Sequence, residues 1–288
     1  MKRTPNHRGA GFMPSKQLEI RRAGKLGFNT EANPEIFMRL QVIGVEGMPL
    51  IREGDDLAEL VVRTSEKQGT PLENGDVLVL CHVAVSKAEG RTIDLTKITP
   101  SEIASNFSLL VGKDPRLVEV ILRESRAVRR MAPGVLITET MQGFVCANAG
   151  VDKSNVPGDD MVAPLPADPD ASARRIRGRL GEVAGVNIAV IIADTHGRAH
   201  RDGEVNVAVG SSGLHVIRDR RGEKDLFGYV LKVKRTAIAD ELAAAAELVI
   251  GQADEGVPAA IIRGYRYPPS EESSARELVR PKGTDLFL

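Results

Sequence analysis

Two runs in this chain are apolar almost without interruption: VLVLCHVAV, residues 77–85, and VNIAVIIA, residues 186–193. A strand with one face in water alternates apolar and polar side chains, whereas a continuous β-branched run has to be covered on both faces. Both are therefore read as buried strands. The first is entered through the turn signal Asn74-Gly75, and the second ends at Asp194. AAIIRG, residues 259–264, reads as a last strand, and the alternating segment LQVIGVEGMPLI, residues 40–51, marks where the ordered body begins.

Helical patterns lie between these runs. GDDLAELVVRTSEK carries Leu57, Leu60 and Val61 at helical spacing. TPSE places Thr99 at an N-cap, Pro100 at the first position and Glu102 at the third. DPRLVEVILRESRAVRR repeats that logic with Asp114 and Pro115; its stripe is Leu117, Val118 and Ile121, and its closing arginines suit a helix C-terminus. DPDASARRIRGRL opens another helix, capped by Asp168 or Asp170, and ADELAAAAELVIG is a strong alanine-rich helix. VLITETMQGFVCANAGV reads as a hairpin turning near Gln142-Gly143, and HGRAHRDGEVNVAVGSSGL as a loop with one strand. The order is not a clean strand–helix alternation, so the expected class is α/β in the mixed, α+β sense. Residues 1–40 are a basic extension, disordered or packed on a partner subunit; residues 41–264 form the body; residues 265–288 are a polar tail.

Charge and composition narrow the partners. Lys+Arg and Asp+Glu balance at 39 each, so no basic field draws the chain to nucleic acid or membrane. Aromatic residues make up 3% with no Trp, which argues against base-stacking platforms and for a small-molecule partner. Cys81 and Cys146 sit in apolar runs without zinc-site spacing and read as a buried, reduced pair in a cytoplasmic protein. No apolar stretch reaches the roughly 18 residues of a membrane span. A P-loop, a dinucleotide-binding glycine fingerprint, a nucleophile elbow and a metalloprotease helix are all missing from the sequence.

The remaining candidates are acids and amides at the ends of apolar runs. Asp194 with Thr195 closes the most apolar strand; a carboxylate beside a hydroxyl suits Mg²⁺ or Mn²⁺, though the pair also fits a turn. Asp152 and Asn155 in NAGVDKSNV have the same character and the same alternative. Gln252 and Asp254-Glu255 follow the alanine helix in a glycine-flanked loop, which is either a phosphate approach or a solvated helix end. Lys87 comes just after a buried run, where it could meet a phosphate, and Arg198 and Arg201 could clamp an anionic substrate.

At these same stretches the sequence resembles the coenzyme F420-0:γ-glutamyl ligases. GMPLIREGDDLAEL, GDVLVLCHVAVSKAEGR, CANAGVDKSNV, LPADPDASA, VIIADTHGR, DLFGYVLKV, ADELAAAAELVIGQ and VPAAIIRG carry the resemblance, over residues 41–264. It implies a non-P-loop ligase fold, with a two-lobed protomer in an intertwined homodimer. It also implies GTP as cosubstrate, L-glutamate and a deazaflavin coenzyme precursor as the other substrates, two divalent ions (Mg²⁺ or Mn²⁺), and a monovalent cation such as K⁺. By resemblance, Asp152, Asp194, Thr195 and Gln252 are metal positions. Met48, Pro49, Leu50, Ile51, His82, Val83, Lys87, Asn155 and the run Ile250, Gly251, Gln252, Ala253, Asp254, Glu255, Gly256 and Val257 are nucleotide positions. Lys87, Asp152 and Asp194 would carry the catalysis. The chain departs from the family pattern at His82, His196, His200 and Gln252. The alternatives are the same fold acting on another carboxylate acceptor, and a GTP-binding protein without catalysis.

Overall fold

The computed structural model describes residues 39–285. The extension expected over residues 1–40 lies outside them, save for Arg39 and Leu40. In chain order the elements are β1 (Gln41–Gly44), α1 (Leu57–Gln68), β2 (Val77–Cys81), α2 (His82–Ala88), β3 (Ile93–Asp94), α3 (Glu102–Val111) and α4 (Pro115–Arg123). There follow β4 (Ser125–Ala132), β5 (Val135–Thr140), β6 (Val145–Ala147), β7 (Met161–Val162), α5 (Pro169–Ala184), β8 (Ala189–Arg198) and β9 (Arg201–Ser212). The last are β10 (Ile217–Asp219), β11 (Arg235–Ala237), α6 (Ile238–Ile250) and β12 (Ala259–Arg263). This is the mixed α/β architecture that the patterning predicts.

The central sheet runs β1-β12-β2-β8-β9, with β2 and β8 parallel and the other neighbours antiparallel. Its three inner strands are the three apolar runs, and both faces are covered. Leu78, Leu80, Val190, Ile192 and Ile261 pack toward α1 and α5; Val77, Val79, Ile191, Ala260 and Ile262 pack toward α6. Strand periodicity thus splits each run between two cores. A separate small core, around Leu95, Val118, Ile121 and Leu136, joins α3 and α4 to the β4-β5-β6 sheet.

Helix caps follow the local chemistry where it is unambiguous. Asp56 accepts from the Glu59 amide and Gly69 closes α1 at φ 82°; Asp114 caps α4 ahead of Pro115; Asp168, rather than Asp170, caps α5. The cap of α3 is Ser101, not Thr99. Its hydroxyl accepts from Ala104 N at 3.2 Å while its own amide is held by Glu119 of α4 at 3.0 Å, which leaves Pro100 outside the helix.

Three segments differ from the sequence expectation. The run 77–85 is not one strand: β2 stops at Cys81 and His82–Ala88 coil into α2, anchored by Ser86 Oγ donating to Pro164 O at 2.7 Å. The arginines after Arg123 do not end a helix. Arg126, Arg129 and Arg130 lie on β4, where Arg129 reaches Glu139 on β5. The segment 196–214 is not chiefly loop, because β8 and β9 form one long hairpin turning at Ala199-His200. Among the described residues, no helix is long and apolar enough to cross a membrane.

The polar tail is tied down. Asp170, 6% exposed, accepts from Ser211 N at 2.8 Å, from Ala275 N at 3.1 Å and from Ser274 Oγ. Asp170→Ala orphans two buried amides and releases the tail from α5 and β9. We expect it to destabilise the fold by about 3 kcal/mol in urea unfolding. A loss within experimental error would show that the tail contributes nothing to the body.

Candidate functional site

Topology alone gathers the site. Because β2 and β8 are parallel with Cys81 opposite Ala193, the residues that follow, His82 and Asp194, emerge side by side at the C-terminal edge of the sheet. The antiparallel neighbours bring their connections to that edge. Pro258, just before β12, accepts from Cys81 N at 3.0 Å, and Val45, just after β1, donates to Ala259 O at 2.9 Å. The segment Met48–Ile51 and the loop 250–258 therefore flank the same cleft, and ligands of α/β sheets bind at such strand ends.

Asp194 is the best-connected group there. It is 7% exposed; its Oδ1 accepts from Thr195 N at 2.8 Å and lies 3.2 Å from His82 Nε2, and its Oδ2 lies 2.9 Å from His196 Nε2. Burial alone would raise the Asp194 carboxyl, but the imidazoles of His82 and His196 outweigh it and hold the group well below the usual carboxylate range. Burial likewise disfavours charge on His196, yet its hydrogen bond to Asp194 and its contact with Cys146 push it up to about 10. Asp194 is thus an anion throughout the physiological range.

Asp152 faces the same imidazole from the smaller core. It is half-buried, pairs through its backbone with Ala163, and takes Ser154 Oγ on Oδ1 at 2.9 Å. Its Oδ2 is 3.9 Å from His82 Nε2. His82 stands between the two carboxylates at 3% exposure, and its ring nitrogens make no aligned hydrogen bond. The 3.2 Å approach to Asp194 is therefore a close electrostatic contact. Lys87 sits in the last turn of α2 rather than straight after a strand, and its Nζ donates to Asn155 O at 2.9 Å. Asn155 itself holds φ at 56°, a conformation that Asn tolerates.

Of the residues singled out in the sequence, Met48, Pro49, Leu50, Ile51, His82, Val83, Lys87, Asp152, Asn155, Asp194 and Thr195 line one cleft. Ile250, Gly251, Gln252, Ala253, Glu255, Gly256 and Val257 line it too. Asp254 does not, and neither do Arg198 and Arg201, which are exposed at the tip of the β8–β9 hairpin; there Arg198 donates to Asp202 O. Thr195 also differs from its expected partnership with the Asp194 carboxylate. Strand alternation turns its side chain to the α6 face, where Oγ1 donates to Asn206 Oδ1 at 2.8 Å.

Asn206 escaped sequence reasoning. It is 2% exposed, its amide is held by Glu247 of α6 at 2.6 Å, and its Nδ2 has no partner although the residue lines the cleft. A polar residue at an inward position of EVNVAVG was the available signal. Cys81, Ala84, Ser154, Ala193 and Pro258 also line the cleft, brought there by the strand ends.

Asp152 and Asp194, with oxygens 3.9 and 3.2 Å from His82 Nε2, and Gln252, exposed at the rim, are the oxygen donors from which this cleft could hold a divalent cation. Lys87 and the glycines of the 250–258 loop complete surroundings suited to a polyphosphate.

Comparison with known proteins identifies the family to which the chain belongs. The family model for F420-0:gamma-glutamyl ligase matches residues 47–264, a span that contains every residue of the cleft. The chain belongs to this family. The coenzyme F420:L-glutamate ligase of Methanothermobacter thermautotrophicus is 51% identical over 251 residues, covering 87% of this chain and 99% of that protein. The ligase of the same name from Methanopyrus kandleri is 50% identical over 255 residues, covering 86% and 98%. That of Methanocaldococcus jannaschii is 43% identical over 251 residues, covering 86% and 97%. In this γ-glutamyl ligase family member, residues 1–46 and the tail from Tyr265 lie outside the family match.

Proposed function

We propose that this chain ligates L-glutamate to the carboxylate of the coenzyme F420 precursor, F420-0, at the expense of GTP. The observation that carries the reading is the convergence of Asp152, Asp194 and Lys87 on one cleft in a chain of this family. A carboxylate is a poor electrophile. In the proposed reaction the γ-phosphoryl of GTP passes to the acceptor carboxylate, giving an acyl phosphate and GDP. The glutamate amine then attacks the acyl carbon, phosphate leaves, and the amide forms. No side-chain nucleophile is needed, in keeping with a cleft whose charged groups position and neutralise.

Asp152 and Asp194 would hold Mg²⁺ or Mn²⁺, with Gln252 and the Thr195 backbone completing the set. The ion would shield charge on the phosphate oxygens. Lys87 orients the phosphates, and its bond to the Asn155 carbonyl keeps it aimed into the cleft. Residues 48–51 and 250–257 would enclose the nucleotide in a fold that lacks a P-loop, with a monovalent ion such as K⁺ as a further constituent. The reading includes the two-lobed catalytic body over residues 41–264 and a cytoplasmic homodimer. The arm between β10 and β11 supports the dimer, because it exposes Leu226, Phe227 and Val233 almost fully, as a subunit contact does.

The test is incubation with GTP, Mn²⁺, L-glutamate and F420-0, with products read by mass. Adducts heavier by one or more glutamates and stoichiometric GDP are expected. GDP release only with a different carboxylate acceptor would replace the substrate in this reading, and GTP binding without turnover would end it. Lys87→Ala is expected to lower kcat/KM for GTP by about ten- to a hundredfold, the worth of one charged hydrogen bond. An unchanged value would remove Lys87 from the site.

A further inference from the structure

Asp194 divides its two oxygens between two neighbourhoods. Oδ1 faces His82 and the cleft, and Oδ2 faces His196. Asp194 and His196 are two apart on β8 and so share a face, and Cys146, on β6, packs against that face. One ligand atom from each of Cys146, Asp194 and His196 lies within 4.8 Å of the other two. We propose that these three side chains bind a thiophilic divalent cation, of which Zn²⁺ is the type, behind the oxygen-donor set proposed for Mg²⁺ or Mn²⁺.

Donor chemistry, burial and spacing support the site. Thiolate, imidazole and carboxylate are the zinc donors, whereas a sulfur ligand repels Mg²⁺. Cys146 is 6% exposed and Asp194 7%, so the cation would be held away from bulk solvent. Tetrahedral zinc with bonds of about 2.0–2.3 Å sets its ligand atoms about 3.5 Å apart. Asp194 Oδ2 and His196 Nε2 already stand 2.9 Å apart and the three ligand atoms lie within 4.8 Å of one another, so side-chain adjustments of little more than about an ångström reach that spacing.

On binding, the Cys146 thiol proton and the proton shared by His196 Nε2 and Asp194 Oδ2 leave to solvent, and three coordinate bonds replace them. The fourth position remains for water. Such an ion would fix the Asp194 carboxylate from behind and present Oδ1 to the cleft. The proposal does not depend on the ligase reaction.

The experiment uses the full-length protein, freed of metal with a chelator and titrated with Co²⁺ in excess Mg²⁺. Magnesium occupies oxygen sites and has no spectrum, so cobalt bands report the sulfur site. Expected are a thiolate-to-cobalt charge-transfer band and tetrahedral d–d bands that saturate at one equivalent and are displaced by Zn²⁺. Cys146→Ser loses the charge-transfer band, and Cys81→Ser, which removes the other thiol, keeps it. In the unaltered protein, zinc slows alkylation of Cys146, read by peptide mass, which covers the case of a misfolded variant. The absence of a sulfur band in the unaltered protein overturns the proposal, as does a band that survives Cys146→Ser or unslowed alkylation. Any of these results would leave the ligase reading standing.

Discussion

Asp194→Asn is expected to lower glutamate ligation by about a hundred- to a thousandfold at every Mn²⁺ concentration, with the fold retained. Asparagine keeps the shape of the side chain and removes the charge, so His82 and His196 lose the anion both imidazoles face. The divalent cation proposed for the cleft would lose its most buried oxygen ligand. Asp152→Asn should cost less, since Asp152 is half-exposed and its Oδ1 is already occupied by Ser154. Steady-state rates across a Mn²⁺ titration, beside circular dichroism of each variant, make the measurement. Full activity in Asp194→Asn would remove this residue from the chemistry.

A large effect on stability is expected at Asp76. This carboxylate is 2% exposed, and both its oxygens are taken by Arg263, Nε to Oδ1 at 3.0 Å and Nη2 to Oδ2 at 2.8 Å. It also accepts from Glu73 N at 2.8 Å, while Arg263 extends to Pro71 O and Glu73. The pair thereby locks the entry to β2 onto the end of β12. Asp76→Ala strips the Glu73 amide of its acceptor and leaves Arg263 with only Glu73 and Pro71 O, so it should cost about 3 kcal/mol. That is a large part of the roughly 5–15 kcal/mol available to a typical domain. Chemical denaturation of Asp76→Ala, Arg263→Ala and the double variant separates the terms. The double variant should lose less than the sum of the singles, and strict additivity would show that the bridge is not a coupled unit.

What could be read from the sequence was whatever short-range chemistry decides. The apolar runs supplied the inner strands because a sheet covered on both faces hides such residues. Asp114 became a cap, as did Asp168 of the two candidates for α5, because an Asx oxygen satisfies a first-turn amide. Errors fell where a long-range partner outweighs propensity. The β-branched HVAV coils into α2 because β2 ends at the sheet edge and Ser86 finds Pro164, 78 residues away. Ser101 replaced Thr99 as a cap because Glu119, on another helix, holds its amide.

The candidate site divides in the same way. Asp152, Asp194, Lys87 and Gln252 could be named from the sequence because polar residues ending apolar runs invite the question, and the family resemblance singled out the same positions. Their convergence, the turning of Thr195 toward Asn206, the placement of Arg198 and Arg201 away from the cleft, and the meeting of Cys146 with His196 belong to the tertiary structure alone. Those depend on strand order and register, and in particular on β2 and β8 running parallel with Cys81 beside Ala193. Register is set by packing across the whole sheet, so no local stretch of the chain encodes it.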